Sequence, residues 1–138
     1  MLALTKKTGY ALGAMTYLAR QESQGISSAR EIANVLGAPP SLMMNVLKQL
    51  AAKGYVESIR GAKGGYRLAR DINTMTLADL VETMEGPVRL SQCVADPANH
   101  EECTLAMMAS CPVHDPVHRI QRRLNDFLKK VTLAELTT

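Results

Sequence analysis

The chain of 138 residues has no tryptophan and a single phenylalanine, so its interior must be built from Leu, Val, Ile, Ala and Met rather than around large aromatic rings. At this length one domain can bury a core without covalent staples. No stretch approaches the roughly 18 uninterrupted apolar residues that a membrane helix requires. Residues Met1 to Lys7 also lack the apolar run of a signal peptide, and the reading is a cytoplasmic protein with no membrane partner. Cysteine is scarce and odd in number, three in all, which argues against a disulfide framework in a reducing compartment and points to metal or redox chemistry. Enzyme signatures are missing too. The glycines of residues 61–65 lack the Lys-Ser/Thr ending of a phosphate loop, and there is no nucleophile motif or dinucleotide fingerprint. No catalytic residue and no small-molecule substrate are therefore assigned.

Acidic residues are rare in the first half. Residues 1–70 hold ten Lys and Arg against three Glu and no Asp, a net +7, whereas residues 71–138 hold six against ten, a net −4. The first half has the balance of a polyanion-binding unit.

Apolar residues Leu4, Ala11, Met15, Leu18 and Ala19 recur at helical spacing, interrupted by Gly9 and Gly13, and predict a first helix. Ser28 stands three residues before Glu31, the pattern of a capping box, and Ile32, Ala33, Val35 and Leu36 follow up to the stop at Gly37. The connection Gly37-Ala38-Pro39-Pro40 opens a third helix with Met43, Val46, Leu47 and Leu50 turned inward. Two short helices so joined form a helix-turn-helix, ended at Lys53-Gly54. Val56–Ile59 and Tyr66–Leu68 are strand-like and enclose Arg60-Gly61-Ala62-Lys63-Gly64-Gly65, a two-stranded wing with bases at its tip. Thr76 and Asp79 cap a further helix containing Leu77, Leu80, Val81 and Met84, stopped by Gly86-Pro87.

From Val88 to Pro112 no period is sustained, and this stretch carries all three cysteines. Asp115-Pro116 opens a last helix whose apolar positions Val117, Ile120, Leu124, Phe127 and Val131 are spaced three, four, three and four apart, the seam that pairs one helix with another. The expected fold is mainly α: a winged helix-turn-helix with a two-stranded wing and a long C-terminal dimerisation helix. Its expected division is a DNA-binding domain over residues 1–86, a cysteine loop over 87–112, and the dimerisation helix and tail over 113–138.

A winged helix lays its second helix of the helix-turn-helix in the major groove while the wing grips phosphates or the minor groove. With Met43, Val46, Leu47 and Leu50 inward, Ser41, Met44, Asn45, Lys48 and Gln49 face outward. Asn45 can bond an adenine edge bidentately, Lys48 can reach guanine or phosphate, and Ser41 at the helix start suits a phosphate. Arg60, on a glycine-flanked turn, has no core role and suits a narrow minor groove. The candidate double-stranded DNA contacts are Ser28, Pro40, Ser41, Met44, Asn45 and Lys48, with Arg60, Gly61, Lys63, Gly64 and Tyr66 on the wing. The competing reading is a winged helix used for protein contacts.

Cys93, Cys103, Cys111 and His114 form the pattern C-x9-C-x7-C-x2-H, in which thiolates and an imidazole can share one metal site. Thiolates are the usual ligands of iron–sulfur clusters, and His replaces Cys on one iron of some 2Fe–2S centres. A zinc site would need close cysteine pairs, which do not occur here. Inert structural cysteines, thiol oxidation without a cluster, and an electron carrier are the other readings, but an electron carrier has no need of Arg60, Lys63 or a recognition helix.

The sequence resembles the IscR and NsrR family of winged-helix regulators. The resemblance rests on Leu4-Thr5-Lys6-Lys7 with Gly9-Tyr10-Ala11, Glu31-Ile32-Ala33, Leu47 to Val56, the specific block Ser58-Ile59-Arg60-Gly61-Ala62-Lys63-Gly64-Gly65-Tyr66-Arg67-Leu68, and the tail Phe127 to Leu133. It implies a homodimer on a palindromic operator, held by the C-terminal helices, and an iron–sulfur cluster on Cys93, Cys103, Cys111 and His114, with 2Fe–2S preferred over 4Fe–4S. It also implies control of cluster-assembly genes. The cysteine gaps are longer than in such relatives, so His118 and His100 compete with His114 as fourth ligand. Where some relatives carry a carboxylate ligand on the first helix this chain has Gly9, and where some carry a Glu on the recognition helix it has Met44, which cannot accept a hydrogen bond from cytosine.

Overall fold

A computed structural model describes residues 4–21, 25–90, 112 and 114–137. Six helices and one antiparallel hairpin occur among the described residues: α1 (Lys6–Arg20), α2 (Ala29–Leu36), α3 (Pro40–Ala52), β1 (Val56–Ile59), β2 (Gly65–Leu68), α4 (Leu77–Glu85), α5 (His114–Lys130) and α6 (Leu133–Thr137). This is the mainly helical winged-helix fold that the sequence predicts.

Helix α1 is the hub. It packs on α2, α3, α4, β2 and α6, and its buried stripe of Ala11, Ala14, Met15 and Leu18 meets Ile32 and Ala33 of α2, Met43, Val46, Leu47 and Leu50 of α3, and Leu80 and Met84 of α4. All four apolar residues expected inside α3 are buried, because their spacing puts them on one side of the helix. The first helix starts at Lys6 rather than Leu4: Thr5 is the N-cap, its hydroxyl accepting from the Thr8 amide at 3.5 Å, and Leu4 is exposed before it.

Helix α2 departs from expectation in two ways. Ser28 Oγ accepts the Glu31 amide at 3.1 Å, but the Glu31 carboxylate accepts from the Tyr17 hydroxyl at 3.0 Å, so only half of the capping box is made there. Val35 is exposed, since Ile32 and Ala33 already cover the narrow face that an eight-residue helix presents to α1 and α3. The complete box is at α4, where Thr76 and Asp79 bond each other's backbone amides at 3.2 and 3.1 Å.

The hairpin pairs Val56 with Leu68 and Ile59 with Gly65. Its second strand also bonds in both directions to Ser27, the Ser27 amide to the Tyr66 carbonyl at 3.0 Å and the Tyr66 amide to the Ser27 carbonyl at 2.8 Å. The wing is thereby pinned to the residue before the α2 cap. Gly65 permits this approach: a Cβ there would lie 2.4 Å from the Ser27 carbonyl oxygen.

The C-terminal region holds the largest departure. Helix α5 begins at His114, with Pro116 in its first turn where no intrahelical amide is needed. Beyond it the expected tail is a further short helix, α6, and Leu133 at its start is 1% exposed within the core. Backbone bonds lock it there: the Leu77 amide donates to the Val131 carbonyl and the Leu133 amide to the Met75 carbonyl, each at 2.8 Å. Leu77, expected inside α4, is half-buried at this junction.

Candidate nucleic-acid interface and ligand-bearing segment

On α3 the chain separates two faces as its pattern requires. Met43, Val46, Leu47 and Leu50 lie in the core, while Pro40, Ser41, Met44, Asn45 and Lys48 are exposed. Pro39 precedes Pro40 as the N-cap residue and supplies no side-chain hydrogen bond, which leaves the first-turn amides of α3 to other acceptors. Phosphate oxygens are suitable acceptors at such a helix end. Gln49, read as outward, is half-buried.

The wing turn runs from Arg60 to Gly64 and is closed by the Gly64 amide donating to the Gly61 carbonyl at 3.0 Å. Arg60, Gly61 and Lys63 are exposed at its tip. Behind the tip Arg67 pairs with Glu57 at 3.0 Å, and the two residues are partners in the strand register, so this guanidinium braces the hairpin. The remaining sequence-predicted contacts have structural work. Ser28 caps α2, Tyr66 is half-buried against the core, and Gly64 sits where a Cβ would meet the Ile59 carbonyl oxygen at 2.2 Å.

Among the predicted seam residues of α5, Ile120 and Phe127 are 54% and 61% exposed. Val117, Leu124 and Val131 are half-buried. Phe127, the one Phe of the chain, is the largest apolar side chain that this helix exposes. Cys93, Cys103 and Cys111, with His100, lie outside the described residues; His114 opens α5, and His118 is half-buried one turn further on.

Two polar arrangements escaped the sequence reading. Glu85, at the end of α4, accepts from the Thr5 hydroxyl, from the Thr8 hydroxyl at 2.5 Å and from the Thr5 amide at 3.0 Å. These bonds, chiefly those of the Thr5 and Thr8 hydroxyls, hold its pKa below the ordinary glutamate value. Gln121 of α5 is 5% exposed and bonds the chain after α4. Only one weak signal could have revealed it: Gln121 falls four residues after Val117 and three before Leu124, and so shares the side of α5 on which those apolar residues lie.

Comparison with known proteins gives these features a common context. The profile of the family described as Rrf2, iron-dependent transcriptional regulator, matches residues 4–138. The HTH-type transcriptional regulator NsrR of Halalkalibacterium halodurans is 28% identical over 137 residues, 99% of this chain and 91% of its own. Among solved structures, CymR, the global cysteine regulator of B. subtilis, is similar with a TM-score of 0.71 at 28% identity, over 99% of this chain and 97% of that one. T. potens IscR shares the fold with a TM-score of 0.69 at 24% identity, over 98% of this chain and 85% of that one.

Proposed function

Because the chain belongs to the Rrf2 family of DNA-binding transcription regulators, we propose that it acts as a homodimer whose affinity for its operator is set by an iron–sulfur cluster held by Cys93, Cys103, Cys111 and His114. The observation that carries the DNA-binding half of this reading is the division of α3 into a buried apolar side and an exposed side of Ser41, Met44, Asn45 and Lys48. Asn45 and Lys48 read base edges, while Ser41 with the uncapped α3 start, and Lys63 on the wing, hold phosphates. Arg60 at the wing tip enters the minor groove. Ile120, Leu124 and Phe127, flanked by Val117 and Val131, form the dimer seam.

The donor set fits the cluster on chemical grounds. Three thiolates fall within the connection between α4 and α5, and the His114 imidazole stands at the start of α5, without the close cysteine pairs of structural zinc sites. A bound cluster supplies a site whose charge and occupancy change with iron supply or oxidation. The chain's own contribution is to deliver the ligands from a segment rooted between two packed helices, so that occupancy favours one arrangement of α5 and of the recognition helices. A ligand shifts such an equilibrium only by its differential affinity for the two arrangements. Similarity to Staphylococcus aureus CymR, solved in an oxidized form (26% identity, TM-score 0.67), favours a second reading, in which the thiols of this chain respond by oxidation without a cluster.

One comparison tests the proposal: anaerobically purified protein with measured iron and sulfide, the same protein stripped of metal, and Cys103→Ala, titrated onto one operator at one salt concentration. The loaded protein should differ from the other two, which should resemble each other. Equal binding by all three, with iron and sulfide verified in the first, removes the cluster from the mechanism. A change produced only by oxidising the metal-free thiols establishes the second reading.

A further inference from the structure

The Gln121 carboxamide is an unusual use of a helical side chain. Its Oε1 accepts from the Leu90 amide at 2.8 Å, and its Nε2 donates to the Val88 carbonyl at 2.7 Å and to Asn125 Oδ1 at 2.9 Å. A carbonyl at residue 88 and an amide at residue 90 are the pair that one edge of an extended chain presents to a neighbouring strand. The Gln121 carboxamide occupies the place of that strand's peptide group. Gln121 itself is buried, so water does not compete freely for these bonds. The intrahelical bond to Asn125 orients the carboxamide, assigning its nitrogen towards Val88 and its oxygen towards Leu90.

The position of this clip matters more than its strength. Leu90 lies three residues before Cys93 in the sequence. Gln121 is next to Ile120, whose side chain is exposed on the seam side of α5, so a shift or rotation of α5 that moves one moves the other. Helix α5 packs on α4, and α4 packs on α1 and α3. Resting on the function proposed above, we infer that Gln121 is the positioning residue through which the state of the cysteine segment is transmitted to α5, and from there to the dimer seam and the recognition helix. Coupling of this kind is reciprocal, so operator binding must act back on the clip.

The test uses the full-length protein and two variants. Gln121→Leu keeps the volume and removes all three bonds; Leu90→Pro removes the amide donor at an exposed residue, fixing φ there and restricting Arg89 as well, and changes no residue of α5. The first readout is hydrogen exchange at the Leu90 amide in metal-free protein with and without operator DNA. In the wild type the operator should change that rate by at least about fivefold, the lower end of typical coupling. In Gln121→Leu the amide should exchange fast and be indifferent to DNA. The second readout is the ratio of operator affinities with and without cluster. Both variants should bring that ratio to about one while keeping the cluster's visible spectrum; Gln121→Leu also lowers the melting temperature, because three bonds of a buried side chain are lost, so the ratio is read well below each variant's own unfolding transition, where a merely structural role would leave it unchanged.

A variant that retains the wild-type ratio overturns the inference, as does a wild-type Leu90 amide that ignores the operator. If Gln121→Leu does not fold, the affinity ratio of Leu90→Pro decides between the two outcomes. A wild type that binds DNA alike with and without cluster, yet shows the operator effect at Leu90, refutes the cluster reading and leaves the role of Gln121 standing.

Discussion

Replacing Leu133 by alanine takes an isopropyl group out of a site bounded by Met15, Tyr55, Met75 and Leu80. The side chain is 1% exposed, so all of the deleted surface was buried. At about 0.8 kcal/mol per buried carbon the transfer loss is about 2.4 kcal/mol. The surroundings come from α1, α4, the segment before α4 and the turn before β1, and backbone bonds fix Leu133 to Met75, so collapse into the space is restricted. A cavity contribution then raises the cost to about 3 to 4 kcal/mol, within the range of buried Leu→Ala changes. For a chain of this size that lowers the melting temperature by about 10 to 15 °C. The assay is thermal and urea denaturation at one fixed protein concentration, since a dimer's apparent stability depends on concentration. Leu136→Ala, at a residue that is 41% exposed on the same short helix, is the control and should cost less than about 0.5 kcal/mol. A loss below about 1 kcal/mol for Leu133→Ala would refute the packing of the C-terminal helix into the core.

Further outcomes follow from individual contacts. Gly65→Ala should destabilise by about 2 to 3 kcal/mol and loosen the wing, because its Cβ would meet the carbonyl of Ser27, backbone atoms that cannot swing aside as a flexible side chain can; exchange of the Tyr66 amide reads this directly. Gly37→Ala, at φ +66 with open space around it, should cost about 1 kcal/mol from backbone conformation alone, and an equal loss at both glycines would contradict the distinction. Arg60→Ala should weaken operator binding by about 1 to 3 kcal/mol without changing the melting temperature, and unchanged affinity at physiological salt would take the wing tip out of the interface. Glu85 has a depressed pKa in the folded chain, so its charge stabilises the fold above the ordinary glutamate range and that contribution disappears as pH falls through the folded value. The advantage of wild type over Glu85→Gln in urea should therefore shrink from pH 7 towards about pH 3, whereas parallel curves would mean that the Thr5 and Thr8 bonds do not favour the charged form.

Sequence alone carried the winged helix, because each of its parts has a local cause. The spacing of Met43, Val46, Leu47 and Leu50 decides which side of α3 is buried, and therefore which side exposes Asn45 and Lys48. Gly37 accepts the left-handed turn that ends α2, and the glycines around Arg60 and Lys63 make a wing turn the least strained path between two short strands. The cysteine pattern is legible as chemistry in the same way, through residue types that bind metal.

What tertiary structure decided are the pairings between residues far apart in the chain. Nothing near Glu31 reveals that its carboxylate meets Tyr17 instead of completing the α2 box, since the competing hydroxyl comes from another helix. Leu133 follows a helical seam and reads as part of a tail, and only the backbone bonds of Met75 and Leu77 draw it into the core. Gln121 reads as one polar residue among several on a charged helix. Its burial and its bonds to Val88 and Leu90 exist because α5 returns alongside the chain that leaves α4, a proximity set by packing and not by any local pattern.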